Sequence, residues 1–155
     1  MSSRSLLQNV YLFKSLLPDE LDVIASISDA QPFAGGDTIF LRGEAAKALY
    51  LIKHGSVKIQ QSTKAADTID VATLSAGSHF GEMAFVDGQV RSATATAADR
   101  GELAVIPYEK LTVVLAKHPA IAVKIYRELA FFLANCLRVT TNDLSFAREK
   151  NLSHF

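Results

Sequence analysis

From residue 28 to residue 107 the chain is a succession of short apolar runs cut by glycine, at Gly35, Gly36, Gly43, Gly55, Gly77, Gly81, Gly88 and Gly101. Between the cuts lie residues 38–41, 49–53, 56–61, 68–74, 92–98 and 102–106. Several alternate apolar and polar side chains, as Val57 and Ile59 or Ile69 and Val71 do. Runs of that length and period, bounded by turn residues, are strands with one buried face. Seven or eight of them at regular spacing predict a β-sandwich or β-roll.

The flanks have a different texture. Residues 6–27 read as helical, with Leu17, Leu21, Ile24 and Ile27 recurring on one face. Pro18 suits a first helical turn, and Asp19 and Glu20 suit its positive end. Helical character returns at Tyr108, and Pro119 splits it into a short and a long helix. Residues 120–150 contain no proline or glycine, which allows about 45 Å of helix at about 1.5 Å per residue. The expected fold is α+β. N-terminal helices over 5–28 precede an eight-stranded antiparallel, jelly-roll-like β-roll over 29–107, and a short and a long C-terminal helix occupy 108–150. A length of 155 residues fits one domain, 1–155, without repeats or linkers.

The long helix carries two apolar stripes. Tyr126, Ala130, Leu133, Leu137, Thr140, Leu144 and Ala147 step by four and three in alternation, a heptad seam. Ile125, Leu129, Phe132, Cys136 and Val139 form the second, on a neighbouring face. Either one wide stripe packs on a broad core, or one covers the domain's own sheet and the other joins a second chain in a parallel coiled coil.

Composition removes several function classes. Lys+Arg and Asp+Glu both number 16, so the basic excess expected of a nucleic-acid binder is missing. The one cysteine, Cys136, has no intrachain partner and cannot hold an iron–sulfur cluster. No stretch approaches the roughly 20 apolar residues of a membrane helix, and residues 1–10 do not read as a signal peptide. A cytoplasmic protein without a membrane contact is expected.

The chemistry concentrates in Phe80-Gly81-Glu82-Met83-Ala84-Phe85, Val86-Asp87-Gly88-Gln89-Val90 and Arg91-Ser92-Ala93-Thr94. A glycine lets backbone approach a ligand closely. One helical turn after it would point free N–H groups at an anion. An arginine nine residues beyond the glutamate adds a charge-assisted clamp. A surface Glu–Arg ion pair across the loop is the plainer alternative.

With its surroundings this segment resembles the cyclic-nucleotide-binding domain family, especially the catabolite activator branch. Leu12-Phe13, Leu16 or Leu17, and Glu20-Leu21 resemble the family's entry pattern. Gly36-Asp37, Ile39-Phe40, Gly43-Glu44, Tyr50, Ile52, Gly55 and Val57 resemble its turn glycines and core positions. Residues 80–94 resemble its phosphate-binding cassette, with Val90 where the family often has proline.

The resemblance implies a role for each matching residue. Glu82 would accept from a ribose 2′-hydroxyl, and Arg91 would pair with the cyclic phosphate. Backbone N–H groups beside Gly81, near Met83, Ala84 and Ser92, would complete the cradle, and the Ser92 hydroxyl could join it. Residues 133–141 resemble the activator's long helix, in which two adjacent hydroxyl residues reach the base, one from each subunit. Here these match Thr140 and Thr141. A threonine bonded back to its own helix is the alternative. The implied ligand is cAMP, with cGMP also compatible, since a hydroxyl can donate or accept.

Other polar residues receive plainer readings. His79 beside the cassette is expected to be solvated or hydrogen-bonded. The spacing of His54, His79, His118 and His154 suits no metal site. Phe131 falls between the stripes, Arg138, Arg148 and Lys150 read as solvated charges, and 61–67 reads as a polar hairpin loop. No nucleophile context is visible, so neither an enzyme nor a cofactor is expected. A ligand-binding regulatory module that repositions its long helix is the expected function, with a homodimer through that helix. Its effector partner is not legible. A dimerisation module with a disused pocket, or a sensor domain excised from a transcription regulator, are the alternatives. After Lys150 too few residues remain for a helix-turn-helix, so no direct nucleic-acid binding is expected.

Overall fold

The computed structural model describes residues 7, 8, 10–62 and 68–152, except for the side chains of 62 and 143–152. A 3-10 turn, Tyr11–Phe13, leads into helix α1, Pro18–Ser26. Strands β1 (Asp29–Phe33), β2 (Thr38–Phe40), β3 (Ala48–His54), β4 (Val57–Ser62), β5 (Thr68–Leu74) and β6 (His79–Phe80) follow. Then come helix α2 (Met83–Asp87), β7 (Thr94–Ala97), β8 (Gly101–Pro107), α3 (Tyr108–Lys117) and α4 (Pro119–Leu152).

The helical reading of 6–27 is corrected here, because the segment is broken before α1. Leu17 is extended, at φ −73° and ψ 160°, as expected of a residue before proline. Its N–H donates to Glu20 Oε1 at 2.8 Å, so the glutamate closes the first turn from the inside.

The eight strands form two four-stranded antiparallel sheets, ordered β1-β8-β3-β6 and β2-β7-β4-β5. The two strands absent from the sequence reading are β1 and β6. β1 is exposed except at Phe33 and pairs only with β8, so it carries no apolar alternation. β6 has two residues, and Leu51 pairs with His79.

Burial explains why the first sheet is apolar on both faces. Leu49 and Leu51 of β3 and Ala104 and Ile106 of β8 pack under the helices with Phe13, Ile24, Leu111 and Ile125. Their alternates, Ile52 and Leu103, face the other sheet beside Phe40, Val57, Phe80 and Ala95. The period of two along each strand feeds two cores.

Gly101 shows how tightly the sheet ends close. A Cβ there would overlap the His54 carbonyl and come within 2.6 Å of the Phe33 ring. α4 then crosses the outer face. Ile125 and Leu129 are buried, while Tyr126 and Leu137 are largely exposed. Ile125 and Leu129 of the second stripe, with Leu133 of the heptad seam, therefore cover the domain's own core, while Tyr126 and Leu137 of the seam and Val139 of the second stripe are left largely exposed. Leu144 and Ala147 of the seam lie outside the described side chains.

Candidate functional site

β6 delivers the chain to Gly81, whose φ of +82° only glycine adopts freely. A Cβ at Gly81 would sit 2.8 Å from Arg91 Nη1, so the missing side chain is also the room into which the guanidinium fits. Glu82 caps α2, and Phe85 N and Val86 N both donate to its carbonyl. The amides of Met83 and Ala84 precede those bonds, at the end of the helix that favours an anion. Gly88, left-handed at φ +69°, ends the turn by donating to Ala84 O at 2.9 Å. The return strand is pinned to the 43–44 turn. Arg91 N donates to Glu44 O and Gly43 N to Arg91 O, each at 2.9 Å.

Arg91 is 4 % exposed. Nη2 donates to Ala48 O at 2.8 Å and Nη1 to Gly81 O at 3.2 Å. Nη1 also donates to Tyr108 Oη at 3.1 Å, and the Tyr108 hydroxyl itself donates to Gly81 O. The guanidinium carbon lies 4.1 Å from the Phe40 ring centroid and 5.5 Å from that of Tyr50. Among the described residues Arg91 has no carboxylate partner. The Glu82–Arg91 surface ion pair weighed in the sequence is therefore absent. A full positive charge is held by neutral dipoles and ring faces alone, an environment that an incoming anion would complete.

Tyr108 was not singled out in the sequence. Burial raises its phenol above the usual range, against the lowering effect of the Arg91 charge. Its ring lies 5.2 Å from Phe85, which in turn stacks on Tyr126 of α4 at 6.3 Å. Only position, as the first residue of α3, distinguishes it from any other surface tyrosine in the sequence.

A cavity of about 610 Å³ opens beside these groups, within the range of small-molecule sites. The roll contributes Phe40, Ile59, Val71 and Leu74, and the cassette Gly81, Glu82, Met83, Ala84, Arg91 and Ser92. α4 closes it with Phe132, Leu133, Cys136, Leu137 and Thr140. Thr141 is exposed and is not among the lining residues. The Thr140 hydroxyl donates to Cys136 O at 2.9 Å, so the back-bonded rotamer holds. Ser92 Oγ donates to Met83 Sδ at 3.6 Å. Gln61, read from the sequence as the start of the polar loop, lies with Ser62 in β4, paired with Ile69 of β5. Its Nε2 donates to Ser92 O at 2.7 Å, tying the end of that strand to the cassette. Residues 63–67 of that loop lie outside the described residues. Burial pushes the Cys136 thiol up, and the Glu82 charge adds to it.

His79 departs from its sequence expectation. It is buried at 4 % exposure, and neither ring nitrogen has a hydrogen-bond partner among the described residues. A two-residue strand gave no warning that position 79 points inward. His54 is exposed, His118 ends α3, and His154 lies outside the described residues. Phe131 is exposed, with Arg127 above its ring at 5.7 Å. Among the described residues no group of three His, Cys, Asp or Glu side chains suits a metal. No helix among them is long and apolar enough to cross a membrane.

Residues 30–118 match the family described as the cyclic nucleotide-binding domain. The cyclic AMP receptor protein of Thermus thermophilus is 32% identical over 143 residues, 90% of this chain and 64% of that one. Human cGMP-dependent protein kinase 2 is 34% identical over 97 residues, 62% of this chain and 13% of the kinase. The crystal structure of the Thermus thermophilus catabolite activator protein superposes with a TM-score of 0.78 at 31% identity. That match covers 88% of this chain and 62% of the activator. The chain thus spans less than two thirds of the length of each.

Proposed function

The chain belongs to the cyclic nucleotide-binding domain family, and from that membership we propose that it is a sensor for cAMP. The observation that carries the reading is the buried, carboxylate-free guanidinium of Arg91 at the edge of the cavity. A cyclic phosphodiester has the single negative charge that such a group lacks. Glu82 supports the other end of the ligand, since it lines the cavity and a carboxylate accepts where a ribose hydroxyl donates.

Thr140 supports the choice of adenine. Its hydroxyl proton is committed to Cys136 O, which leaves oxygen lone pairs as the groups it can offer. An acceptor suits the 6-amino group of adenine and opposes the 6-carbonyl of guanine. Similarity to a protein named for cyclic AMP agrees with this reading, while similarity to a cGMP-dependent kinase keeps cGMP as the competitor to be tested. Thr141 is a candidate for a second subunit's ligand rather than its own, as it does not line this cavity.

Binding would act on α4. Five lining residues belong to that helix, and it leaves α3 through His118 at φ −126° and ψ 79°, followed by Pro119. Ligand contacts on α4 that exist in one helix position and not another shift the balance between them.

Calorimetric titration of wild type, Arg91→Ala and Thr140→Ala with both nucleotides tests the proposal. Arg91→Ala should weaken cAMP by about 2–5 kcal/mol, about 30-fold or more. Thr140→Ala should cost cAMP about 1–2 kcal/mol and narrow the cAMP/cGMP preference. Unchanged affinity in Arg91→Ala, or cGMP bound more tightly by wild type, would overturn the assignment.

A further inference from the structure

His79 and Glu82 are a pair of buried polar groups that the structure brings together without joining. The two side chains are 2 % and 12 % exposed, and Nδ1 lies 3.5 Å from Glu82 Oε2. Both atoms lack a hydrogen-bond partner among the described residues. Each is costly to leave unpaired in a low-dielectric interior. A closure of roughly half an ångström would satisfy both at the usual N–H···O distance.

The histidine is held where it can serve this purpose. Its backbone is fixed by the β6–β3 ladder opposite Leu51. Its ring packs at 4.5 Å and 60° against Phe132 of α4, so the seat of α4 limits where the imidazole can go. Both His79 and Phe132 line the cavity.

We propose that His79 is a positioning residue for Glu82, donating from Nδ1 to Oε2 when ligand is bound and so setting the preference for ribose over 2′-deoxyribose. This rests on the cyclic-nucleotide reading of the same cavity. With one carboxylate oxygen tied to the imidazole, the other is left in a fixed position for the ribose 2′-hydroxyl. Without the tie the carboxylate keeps rotamer freedom that ribose binding must remove. Nε2 is unpartnered before and after closure, so its cost cancels between the two states. At 3.5 Å the buried pair is left unsatisfied, a local cost of the kind that stability tolerates where function uses it.

Calorimetry with cAMP and 2′-deoxy-cAMP on wild type, His79→Phe and His79→Asn tests this. Phenylalanine keeps the ring that packs on Phe132 and removes the donor, while asparagine keeps a donor close to the Nδ1 position. His79→Phe should weaken cAMP about tenfold, the scale of one hydrogen bond to a charged group. It should leave 2′-deoxy-cAMP within about twofold, and its melting temperature without ligand should equal or exceed that of wild type. His79→Asn should keep most of the wild-type preference. Equal losses for both nucleotides in His79→Phe, or an unchanged ratio, would overturn the role of His79 and leave the cAMP reading standing. Failure of wild type to bind cAMP would remove both.

Discussion

Arg91 and Tyr108 form one unit at the scale of single residues. The guanidinium is held at Nη1 by Gly81 O and the phenol and at Nη2 by Ala48 O. Lysine has no fork to span those carbonyls. Tyr108→Phe removes one of the partners without changing ring packing on Phe85. It should weaken cAMP binding by about 1 kcal/mol, or roughly fivefold, on titration. Burial, the largest influence, raises the folded-state pKa of Tyr108 against the opposing Arg91 charge. A group raised in this way leaves stability intact below its unfolded value near 10 and subtracts from it as pH climbs above that, because the unfolded chain ionises first. Denaturant melts at rising alkaline pH should show this loss in wild type and a smaller one in Tyr108→Phe.

At the scale of elements, α4 is fastened to the N-terminal segment by polar contacts near its start. Lys124 Nζ donates to Glu20 Oε1 at 2.6 Å, and Ser15 Oγ to Glu128 Oε1 at 2.7 Å. Lys14 Nζ stands 3.5 Å from Glu128 Oε2. Glu20 has a double role, since it also closes the first turn of α1 by accepting from Leu17 N. That backbone bond, then the Lys124 bond, hold its carboxyl below the usual range. The sign follows from a lowered pKa. The stabilisation is present above the unfolded value of about 4.5 and is lost as pH falls through the folded one. Glu20→Ala should lower stability by about 1–2 kcal/mol in urea melts near neutral pH. Glu20→Gln should lose less, because an amide oxygen still accepts from Leu17 N. Equal losses in the two variants would assign the whole effect to the Lys124 contact.

At the scale of the whole molecule, α4 is the element with an apolar face to spare. Tyr126 and Leu137 of the heptad seam are 49 % and 68 % exposed, and Leu137 also lines the cavity. A parallel homodimer along this seam would cover Leu137 and bring a second subunit's Thr141 towards the ligand. Leu137→Glu would bury a charge in the seam, and sedimentation should then report monomer where wild type reports dimer. A wild type that sediments as monomer at micromolar concentration, with and without cAMP, would remove this arrangement. The local chemistry of the chain already announced the β-roll, because turn glycines and period-two runs are short-range signals. It announced both apolar stripes of α4 for the same reason, whereas the reading of residues 80–94 as a cassette came from the family resemblance of their motif. The break before α1 came from the structure, because Leu17 shares the apolar periodicity of the segment and its extended backbone is fixed by the Glu20 contact of the folded chain. β1 and β6 were silent in the sequence, one an exposed edge and the other two residues long. Which residues of α4 face the core, Ile125 and Leu129 from one stripe and Leu133 from the other, was settled by packing. So were the partners of Arg91, the committed proton of Thr140 and the burial of His79 beside Glu82. The partners of Arg91 lie up to 43 residues away in sequence. Although the Thr140 and His79 contacts are local, the burial that gives them meaning comes from elements packed across the cavity, about which side-chain type and spacing carry no information.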